Sequence, residues 1–325
     1  MAHRLGFAVK VLGDGGLPSH DTRRWQSGPS LEESLARLEA IVARLERDDV
    51  RMYRMASGLV PYGSHPDLPQ FHGQVERCAE RLAALGARVR AAGIRLSFHP
   101  GQYVVLNSEQ ERVRALAAAD LALQAAVLDA MGLDEEAVVV LHVGGAAGGV
   151  AAGIERFERG LERLGERARA RLVIENDDRV YALADLLPLA ARGGLRIVWD
   201  LHHHHCHDPR RIPDGEALRL ALATWPAEVT PKVHVSSPRT AVEERARRAG
   251  RRVERTLVLP PLRAHADLID PIAFEAFLRG PGAGLRFDVM LEAKAKDVAL
   301  LRLREQLLAR GFGWEAGRLL PPAVW

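Results

Sequence analysis

The sequence feature that most constrains the fold is a regular alternation of short β-rich runs with longer amphipathic segments. Eight β-rich runs occur, at Leu5–Val11, Val50–Met55, Arg95–His99, Ala137–Val143, Leu172–Asn176, Arg196–Leu201, Lys232–Ser236 and Phe287–Glu292. Segments with apolar residues at three- and four-residue steps separate them, at Leu31–Arg47, Phe71–Ala92, Glu111–Met131, Ile154–Ala170, Val180–Arg192, Asp214–Thr224 and Asp297–Arg310. Strands that alternate with helices pair in parallel. Eight such units in 325 residues predict a closed (β/α)8 TIM barrel, with 1–325 forming a single catalytic domain.

A doubly wound open sheet is the alternative architecture. That fold typically has a glycine-rich loop of the pattern GxGxxG after its first strand. The segment Gly13–Gly16 follows the first β-rich run but lacks this pattern, so the barrel is favoured.

Amino-acid composition constrains the expected cellular location more than it constrains the chemistry that the protein performs. The apolar runs are too short to span a bilayer, and the N-terminus lacks the apolar core of a signal peptide. Two cysteines do not make a disulfide framework, so we expect a soluble, cytoplasmic protein. The net charge of +3 favours a nucleic-acid partner only weakly. The segment Arg245–Arg255 concentrates six arginines in eleven residues, which suits a solvated face as well as a phosphate-binding surface.

Metal-ligating residue types recur where the predicted strands end. In a (β/α)8 barrel the carboxyl ends of the strands carry the active site. Buried charged groups in apolar strands need a partner or a metal ion. The strand-end residues offer imidazole and carboxylate groups without a thiolate, a set that suits Zn, Mn or Fe more than Ca or Mg. The candidate ligands are His99, His142, Glu175, Asp200, His203, His234 and Glu292, with His65 and His265 in the loops after the second and seventh strands.

The remaining histidines and cysteines have weaker contexts. His3, His20 and His72 are expected at the surface, Cys78 in the core, and Cys206 as a packed neighbour of the site. They are therefore not counted among the ligands.

The tract Trp199–Asp208 (WDLHHHHCHD) holds five of the thirteen histidines. We interpret it as the end of the sixth strand and the loop that leaves it. Asp200 and His203 are predicted ligands, with His202 and His204 flanking them in alternating side-chain directions. The other two histidines of the tract, His205 and His207, have no assigned role.

The stretch Leu96–Tyr103 (LSFHPGQY) resembles the UV damage endonucleases, a family of metal-dependent DNA-repair enzymes. Their fold is related to the endonuclease IV and xylose-isomerase-like barrels. The resemblance extends through most of the chain and rests also on Tyr53–Ser57, Gly63–Pro66, Val140–Gly144, Ile174–Asp177, Asp200–His204, Lys232–Ser236 and Met290–Lys294.

The resemblance implies a site of two to three divalent ions. Mn2+ is favoured, with Zn2+, Co2+ or Mg2+ as alternatives. One ion would lie among His99, His142 and Glu175, and a second among Glu175, Asp200, His234 and Glu292; His203 and His265 would contribute to a third. His65 would lie beside the first ion as a ligand or phosphate contact. Lys232 matches a family lysine that can be carboxylated, and the catalytic set implied is Glu175, Lys232, His234 and Glu292.

The resemblance also implies a lesion-recognition surface. Gln102 and Tyr103 match the pair with which the family tests damaged bases from within the duplex. Phe7 stands where the family has a tyrosine, and Val11 where it has an asparagine. The predicted DNA- and lesion-binding residues are therefore Gln102, Tyr103, Phe7 and His65, with a changed lesion preference.

The function expected is hydrolysis of the phosphodiester bond 5′ to a UV photoproduct or other lesion, leaving 3′-hydroxyl and 5′-phosphate ends. The partner would be damaged double-stranded DNA, bound by a monomer in the cytoplasm and, when on DNA, at the nucleoid. A metal-dependent sugar isomerase or epimerase on the same barrel is one alternative, since fold alone does not separate them. It would need a closed polar pocket where a nuclease needs an open basic groove. A non-catalytic DNA-binding relative is the other, which the complete ligand set disfavours.

Overall fold

The computed structural model describes residues 1–249 and 252–322. The strands are β1 (His3–Ala8), β2 (Met52–Arg54), β3 (Arg95–Ser97), β4 (Val139–His142), β5 (Leu172–Glu175), β6 (Arg196–Asp200), β7 (Lys232–Val235), β8 (Glu243–Ala249), β9 (Arg252–Val258), β10 (Asp288–Leu291), β11 (Gly313–Glu315) and β12 (Arg318–Leu320). The helices are α1 (Leu31–Arg47), α2 (Gln74–Arg77), α3 (Ala79–Ala91), α4 (Glu111–Ala130), α5 (Val150–Leu161), α6 (Glu166–Arg171), α7 (Leu183–Gly193), α8 (Leu201–Cys206), α9 (Asp214–Leu222), α10 (Pro271–Arg279) and α11 (Lys296–Ala309).

Eight parallel strands form the predicted TIM barrel. Their order around the barrel is β1, β2, β3, β4, β5, β6, β7 and β10, and β10 pairs back onto β1. The gap between β3 and β4 is closed by a parallel bridge from Phe98 to Val139. Two hydrogen bonds support it, Phe98 N–H to the Val138 carbonyl at 2.9 Å and Val140 N–H to the Phe98 carbonyl at 3.0 Å. The predicted fold class is confirmed.

The helices pack their apolar stripes on the outside of the barrel, and α1 illustrates why. Ser30 begins it by accepting a hydrogen bond from the Glu33 N–H at 3.2 Å, an N-cap that satisfies one free donor. Leu35, Leu38 and Ile41 then recur at helical spacing and are buried. Each fully buried leucine contributes about 1.5–3 kcal/mol through removal of apolar surface from water.

An ion-pair network closes the amino end of the barrel. Asp288 at the start of β10 is fully buried and accepts from Arg95 Nη1 at 2.9 Å. Arg4 Nη1 lies 3.4 Å from the Asp288 carboxylate and donates to Glu136 at 2.6 Å. Charges so far from water persist only when each has a partner.

Several predicted boundaries shift. The first strand ends at Ala8 because Val9 has a φ of +66°, a left-handed conformation that breaks the extended chain. The predicted helix Phe71–Ala92 is divided into a 3-10 turn, α2 and α3, with Gly73 at a φ of +69° between the first two.

Elements that the sequence pattern did not predict lie around the barrel. After β7 the chain forms an antiparallel hairpin, β8–β9, which makes a separate two-stranded sheet. It then forms α10 before re-entering the barrel at β10. At the C-terminus, β11 and β12 form a second hairpin, whose β12 pairs antiparallel with the start of β1. Among the described residues no helix is long and apolar enough to cross a membrane.

Candidate metal centre

Glu175 is the centre of a cluster of imidazole groups at the carboxyl end of the barrel. It ends β5 and is fully buried. Its Oε2 lies 3.0 Å from His99 Nε2 and 3.6 Å from His142 Nε2. Its Oε1 lies 2.9 Å from His234 Nδ1 and 3.5 Å from His203 Nδ1. One carboxylate therefore links residues from strands β4 and β7, the segment after β3 and helix α8.

Three groups of donor atoms share this carboxylate. Within each group one donor atom per residue lies within 4.8 Å of the others, which is close enough to hold a common cation. The groups are His99, His142 and Glu175; Glu175, Asp200 and His203; and Glu175, His234 and Glu292. Seven of the eight predicted ligands are thereby brought together.

His265, the eighth predicted ligand, lies at the edge of this cluster. Its Nδ1 donates to the Glu292 carbonyl oxygen at 2.9 Å and lies 3.8 Å from the Glu292 carboxylate. The ring centroid of His203 is 5.8 Å away. His265 belongs to none of the three donor groups found in the described chain, so its role as a ligand stays a prediction.

Hydrogen bonds to its backbone and to its carboxylate fix the position of Asp200. Asn176 clamps it, with the Asp200 N–H donating to Asn176 Oδ1 at 2.9 Å and Asn176 Nδ2 donating to the Asp200 carbonyl at 3.0 Å. Its Oδ1 accepts from the His203 N–H at 2.7 Å. This clamp was not predicted, although Asn176 directly follows the predicted ligand Glu175.

Arg54 is a second residue that sequence reasoning missed. It ends β2, and its guanidinium pairs with the Glu292 carboxylate. Burial raises the pKa of Glu292, but the charges of Arg54 and His234 outweigh that effect and hold the pKa well below its usual range. The pair keeps Glu292 ionised and directed into the cluster.

The pKa shifts of Glu175 and His234 suit cation binding, whereas burial lowers the pKa of His203 but the charges of Asp200 and Glu175 outweigh it and raise this pKa to about 9. Burial raises the pKa of Glu175, but the charges of His234 and His142 hold it well below its usual range. Burial lowers the pKa of His234 to about 4, so its imidazole is neutral at pH 7, the form that binds metal. Burial raises the pKa of Asp200 to about 8, and the nearby carboxylates Glu175 and Glu292 add to this effect. A cation among these carboxylates would relieve their mutual repulsion.

Two buried polar atoms without hydrogen-bond partners also indicate that the cluster suits a metal ion. Asp200 Oδ2 and Lys232 Nζ have no hydrogen-bond partner in the described part of the chain. Lys232 is fully buried, and burial together with the charges of Arg95 and Arg54 lowers its pKa well below the ordinary value. Buried polar atoms normally have partners, and an unpaired carboxylate oxygen in a nitrogen- and oxygen-rich cluster is a ready metal ligand. The donor set therefore fits divalent metal ions.

The histidine tract folds differently from its predicted conformation. Helix α8 begins directly after β6, with Asp200 as its N-cap, so the expected alternation of His202 and His204 is wrong. Helical rotation returns His203 to the cluster, one turn after Asp200. His204 donates to the Ile212 carbonyl at 2.9 Å, and His205 contacts the Asp214 carboxylate at 2.9 Å.

The other two tract histidines have separate neighbours. The His202 ring packs edge-on against His265, with centroids 5.4 Å apart. His207 donates to the Val180 carbonyl at 3.2 Å. Neither is in a donor group within the described residues.

The predicted lesion-recognition residues divide into exposed and buried members. Gln102 and Tyr103 are exposed in the loop after β3, Tyr103 at 67%. His65 is also exposed and, with Tyr62 and Tyr103, lines a cavity of about 690 Å3. Its Nδ1 accepts from the Asp67 N–H at 3.2 Å, so its contribution to the first ion stays a prediction.

Phe7, which was expected among the DNA- and lesion-binding residues, lies in the core. It is 2% exposed and packs edge-on against Tyr53, with ring centroids 5.4 Å apart. A buried side chain of β1 is not placed to contact a base directly, so a direct DNA contact of Phe7 is not supported by this structure. The surface position expected for His3 is also wrong, because its ring is buried and donates to the Phe287 carbonyl at 2.7 Å.

Comparisons with known proteins agree with the geometry. A family model described as UV-endonuclease UvdE matches residues 33–311. A UV DNA damage endonuclease from Bacillus cereus (strain B4264) is 31% identical over 278 residues, covering 84% of this chain and 80% of that protein. The UV DNA damage endonuclease of Bacillus mycoides (strain KBAB4) is 32% identical over 260 residues, covering 78% and 74%. The chain belongs to the UV-endonuclease UvdE family.

Comparison with solved structures supports the same fold. The crystal structure of SacUVDE matches with a TM-score of 0.78 at 27% identity, covering 95% of this chain and 99% of that one. A D-psicose 3-epimerase from Clostridium cellulolyticum H10 matches with a TM-score of 0.53 at 11% identity, covering 94% and 97%. The second likeness shows a common barrel fold and nothing about activity.

Proposed function

We propose that this protein is a metal-dependent DNA-repair endonuclease that hydrolyses the phosphodiester bond 5′ to a UV photoproduct or other lesion, leaving 3′-hydroxyl and 5′-phosphate ends. The observation that carries the proposal is the set of three donor groups sharing Glu175 at the mouth of the barrel. Membership of the UvdE family gives the substrate class. Damaged duplex DNA is the partner, and a monomer acting in the cytoplasm or nucleoid is sufficient, since nicking one strand requires no symmetry.

Two to three divalent ions, with Mn2+ favoured, would be held by the three donor groups, with His265 and His65 beside them. When bound, such ions lower the pKa of coordinated water and offset charge on phosphate oxygens. The protein keeps the imidazole of His234 neutral and the carboxylates of Glu175 and Glu292 ionised, which are the states that ligands need.

Lys232 has a further role in this proposal. Its amine is buried beside the cluster, and its lowered pKa favours the neutral form. A neutral amine can add to carbon dioxide and lose a proton, giving a carbamate that would supply an anionic oxygen ligand. This chemistry matches the carboxylated lysine that the family resemblance implies.

Recognition of damage rests on Gln102 and Tyr103. Both are exposed beside the mouth, where they could fill the gap left when a damaged base leaves the stack. The core position of Phe7 leaves base contact to the exposed pair, in a pocket without the tyrosine hydroxyl found in the family. We expect the range of lesions to differ from that of relatives with tyrosine there.

Nicking assays on irradiated, abasic and undamaged duplexes test the proposal. We expect Mn2+-dependent nicking of damaged duplex, abolished by EDTA. Glu175→Gln should reduce nicking by more than about 100-fold, since loss of even an outer partner of a metal ligand costs about 10–100-fold. Glu315→Gln, an exposed carboxylate in β11, is the matched control and should nick normally.

Full nicking activity in Glu175→Gln would contradict the assignment of the metal centre. Failure of the wild-type protein to nick any duplex with Mn2+ would contradict the nuclease function and favour small-molecule chemistry on the same barrel.

A further inference from the structure

The hairpin β8–β9 has no part in the barrel or in the metal centre. Its strands, seven residues each, form their own two-stranded sheet, and we call the described residues 243–249 and 252–258 the arm. At about 3.3–3.4 Å per residue the arm is roughly 20 Å long. Nearly every residue of β9 is exposed, as are Glu244–Arg248 of β8. A solvent-exposed two-stranded hairpin gains little stability from its own packing, and its exposed surface is open to a binding partner.

Charge on the arm is unbalanced. It carries five arginines, Arg245, Arg247, Arg248, Arg252 and Arg255, against three glutamates, Glu243, Glu244 and Glu254. Two arginines are paired, Arg255 with Glu244 at 2.9 Å and Arg245 with Glu243 at 3.4 Å. Within the described residues no carboxylate lies within ion-pair distance of Arg247, Arg248 or Arg252. These three positive charges are available to an anionic partner.

The register places the free arginines on both faces of the arm. In an antiparallel pair, directly opposed residues share a face. Arg247 opposes Glu254 and Arg248 opposes Val253, so the neighbouring arginines of β8 face opposite ways. A ribbon with positive charge on both faces suits a groove with phosphates along both walls. The major groove of B-form DNA admits a two-stranded β-ribbon.

The chain segments that lead into and out of the arm are joined near Glu292. Pro238 and His265 form an antiparallel bridge between these segments, and the Arg239 N–H donates to the Ala264 carbonyl at 2.7 Å. His265 in turn donates to the Glu292 carbonyl. The arm therefore begins five residues after Pro238, whose bridge partner His265 hydrogen-bonds the backbone of the proposed catalytic residue Glu292.

The strands that precede the arm and the lesion-recognition loop lie on opposite sides of the barrel. In the circular order of eight strands, β7 is four places from β3 in either direction. The arm follows β7, and Gln102 and Tyr103 follow β3. A duplex lying across the mouth would pass over the metal centre with one support on each side.

We propose that the arm binds the phosphate backbone of duplex DNA through Arg247, Arg248 and Arg252, and holds the duplex across the metal centre from the side opposite Tyr103. This inference rests on the proposed function for its choice of DNA as the partner. It adds a binding element that the metal centre and the lesion loop do not supply.

Binding to an undamaged duplex, measured by fluorescence anisotropy with the Mn2+-loaded protein over a range of salt concentrations, tests the arm separately from catalysis. The variant R247A/R248A/R252A should bind at least about tenfold more weakly at roughly 0.1 M salt, because each lost phosphate contact lowers the salt slope by about 0.9. The expected fall in slope is therefore about two to three units. The variant R247K/R248K/R252K keeps the charge and should retain most of the affinity.

The matched control is R167A/R219A/R302A, which removes three exposed arginines from the outer helices α6, α9 and α11. It should bind as the wild type does. Equal affinity and slope in the arm variant and this control would overturn the inference and favour a protein partner for the exposed Leu257 of the arm. Failure of the wild type to bind duplex even at low salt would also overturn it.

Nicking of damaged duplex, measured on the same proteins, separates the two proposals. A wild type that binds through the arm but nicks no lesion would contradict the proposed function and leave the arm inference standing. Normal nicking with an arm variant of wild-type affinity would contradict the arm inference alone.

Discussion

Glu175 and Asp200 are two buried carboxyl groups whose pKa values are shifted in opposite directions by their surroundings. Both end neighbouring strands, and both are fully buried. Glu175 lies among four imidazoles, and its pKa is held low by His234 and His142. Burial and two neighbouring carboxylates raise the pKa of Asp200 instead. The first group is a ready anionic bridge, whereas the second needs a cation before it ionises fully.

At the residue scale, Tyr103 permits a direct test of lesion recognition. The ring is 67% exposed, so its removal leaves the core intact. Base–aromatic stacking contributes about 1–3 kcal/mol, so Tyr103→Ala should bind damaged duplex roughly 5–150-fold more weakly. The measurement is the dissociation constant for lesion-containing duplex relative to undamaged duplex.

The control is Leu308→Ala, an exposed apolar residue on the outer helix α11. It should leave both constants unchanged. A Tyr103→Ala protein with the wild-type preference for damage would show that the exposed ring does not take part in recognition.

At the scale of single elements, helix α8 explains why the histidine tract is not a metal-loading tag. Asp200 begins the helix and also offers its carboxylate to the cluster. Because the helix repeats about every 3.6 residues, it returns only His203 to the cluster. The next residues around the helix, His204 and His205, turn to the segment that leads into α9.

This helix predicts different effects of two histidine substitutions. His203→Ala should lower the number of Mn2+ ions bound per chain, because it removes a donor from the group with Glu175 and Asp200. His205→Ala should bind the full number, because its ring contacts Asp214 outside the cluster. Metal content after dialysis, measured by atomic emission, distinguishes them. Equal losses in the two variants would mean that the tract binds metal as a unit.

At the scale of the whole molecule, the two ends of the barrel have different roles. The carboxyl end holds the proposed metal site, and the amino end holds an ion-pair network that contributes to stability. The carboxyl end holds the crowded cluster of imidazole and carboxylate groups, and the amino end holds the paired network of Arg4, Arg95, Glu136 and Asp288. Burial raises the pKa of Glu136, but the charges of Arg95 and Arg4 outweigh it and lower the pKa to about 2. This network joins strands from the beginning, middle and end of the chain.

The shifted pKa of Glu136 predicts a pH-dependent contribution to stability. Its usual value is 4.5, so the ionised form stabilises the fold fully above that pH and the contribution is lost as pH falls towards 2. Glu136→Gln should lower the free energy of unfolding by about 1–2 kcal/mol at pH 7, after allowing for solvent screening. The difference from wild type should shrink as the pH falls below about 4.5.

Urea unfolding in EDTA at several pH values measures this difference. Glu135→Gln removes the exposed neighbouring carboxylate and serves as the control, with stability close to that of wild type throughout. A Glu136→Gln deficit that persisted unchanged into the acid range would show that the ion pair is not its cause.

The sequence by itself determined the barrel and the chemical character of its mouth. Alternating periods of two and 3.6 residues are local properties, so they identify eight βα units before any long-range contact is known. Parallel strands end on one face of the barrel, and His142, Glu175 and Asp200 therefore had to converge there. The family resemblance predicted a metal centre formed by the same residues.

Only the tertiary structure decided which side chains meet and which are buried. Arg54 pairs with Glu292 across 238 positions of sequence, a contact that exists only because β1 lies between β2 and β10 in the closed barrel. The burial of Phe7 against Tyr53, on the face of β1 that it occupies, was likewise decided by packing. The arm was not predicted from the arginine-rich segment Arg245–Arg255, of which residues 250 and 251 lie outside the described residues. Pattern gives the direction of a strand, but distances between side chains depend on the packing of the whole molecule.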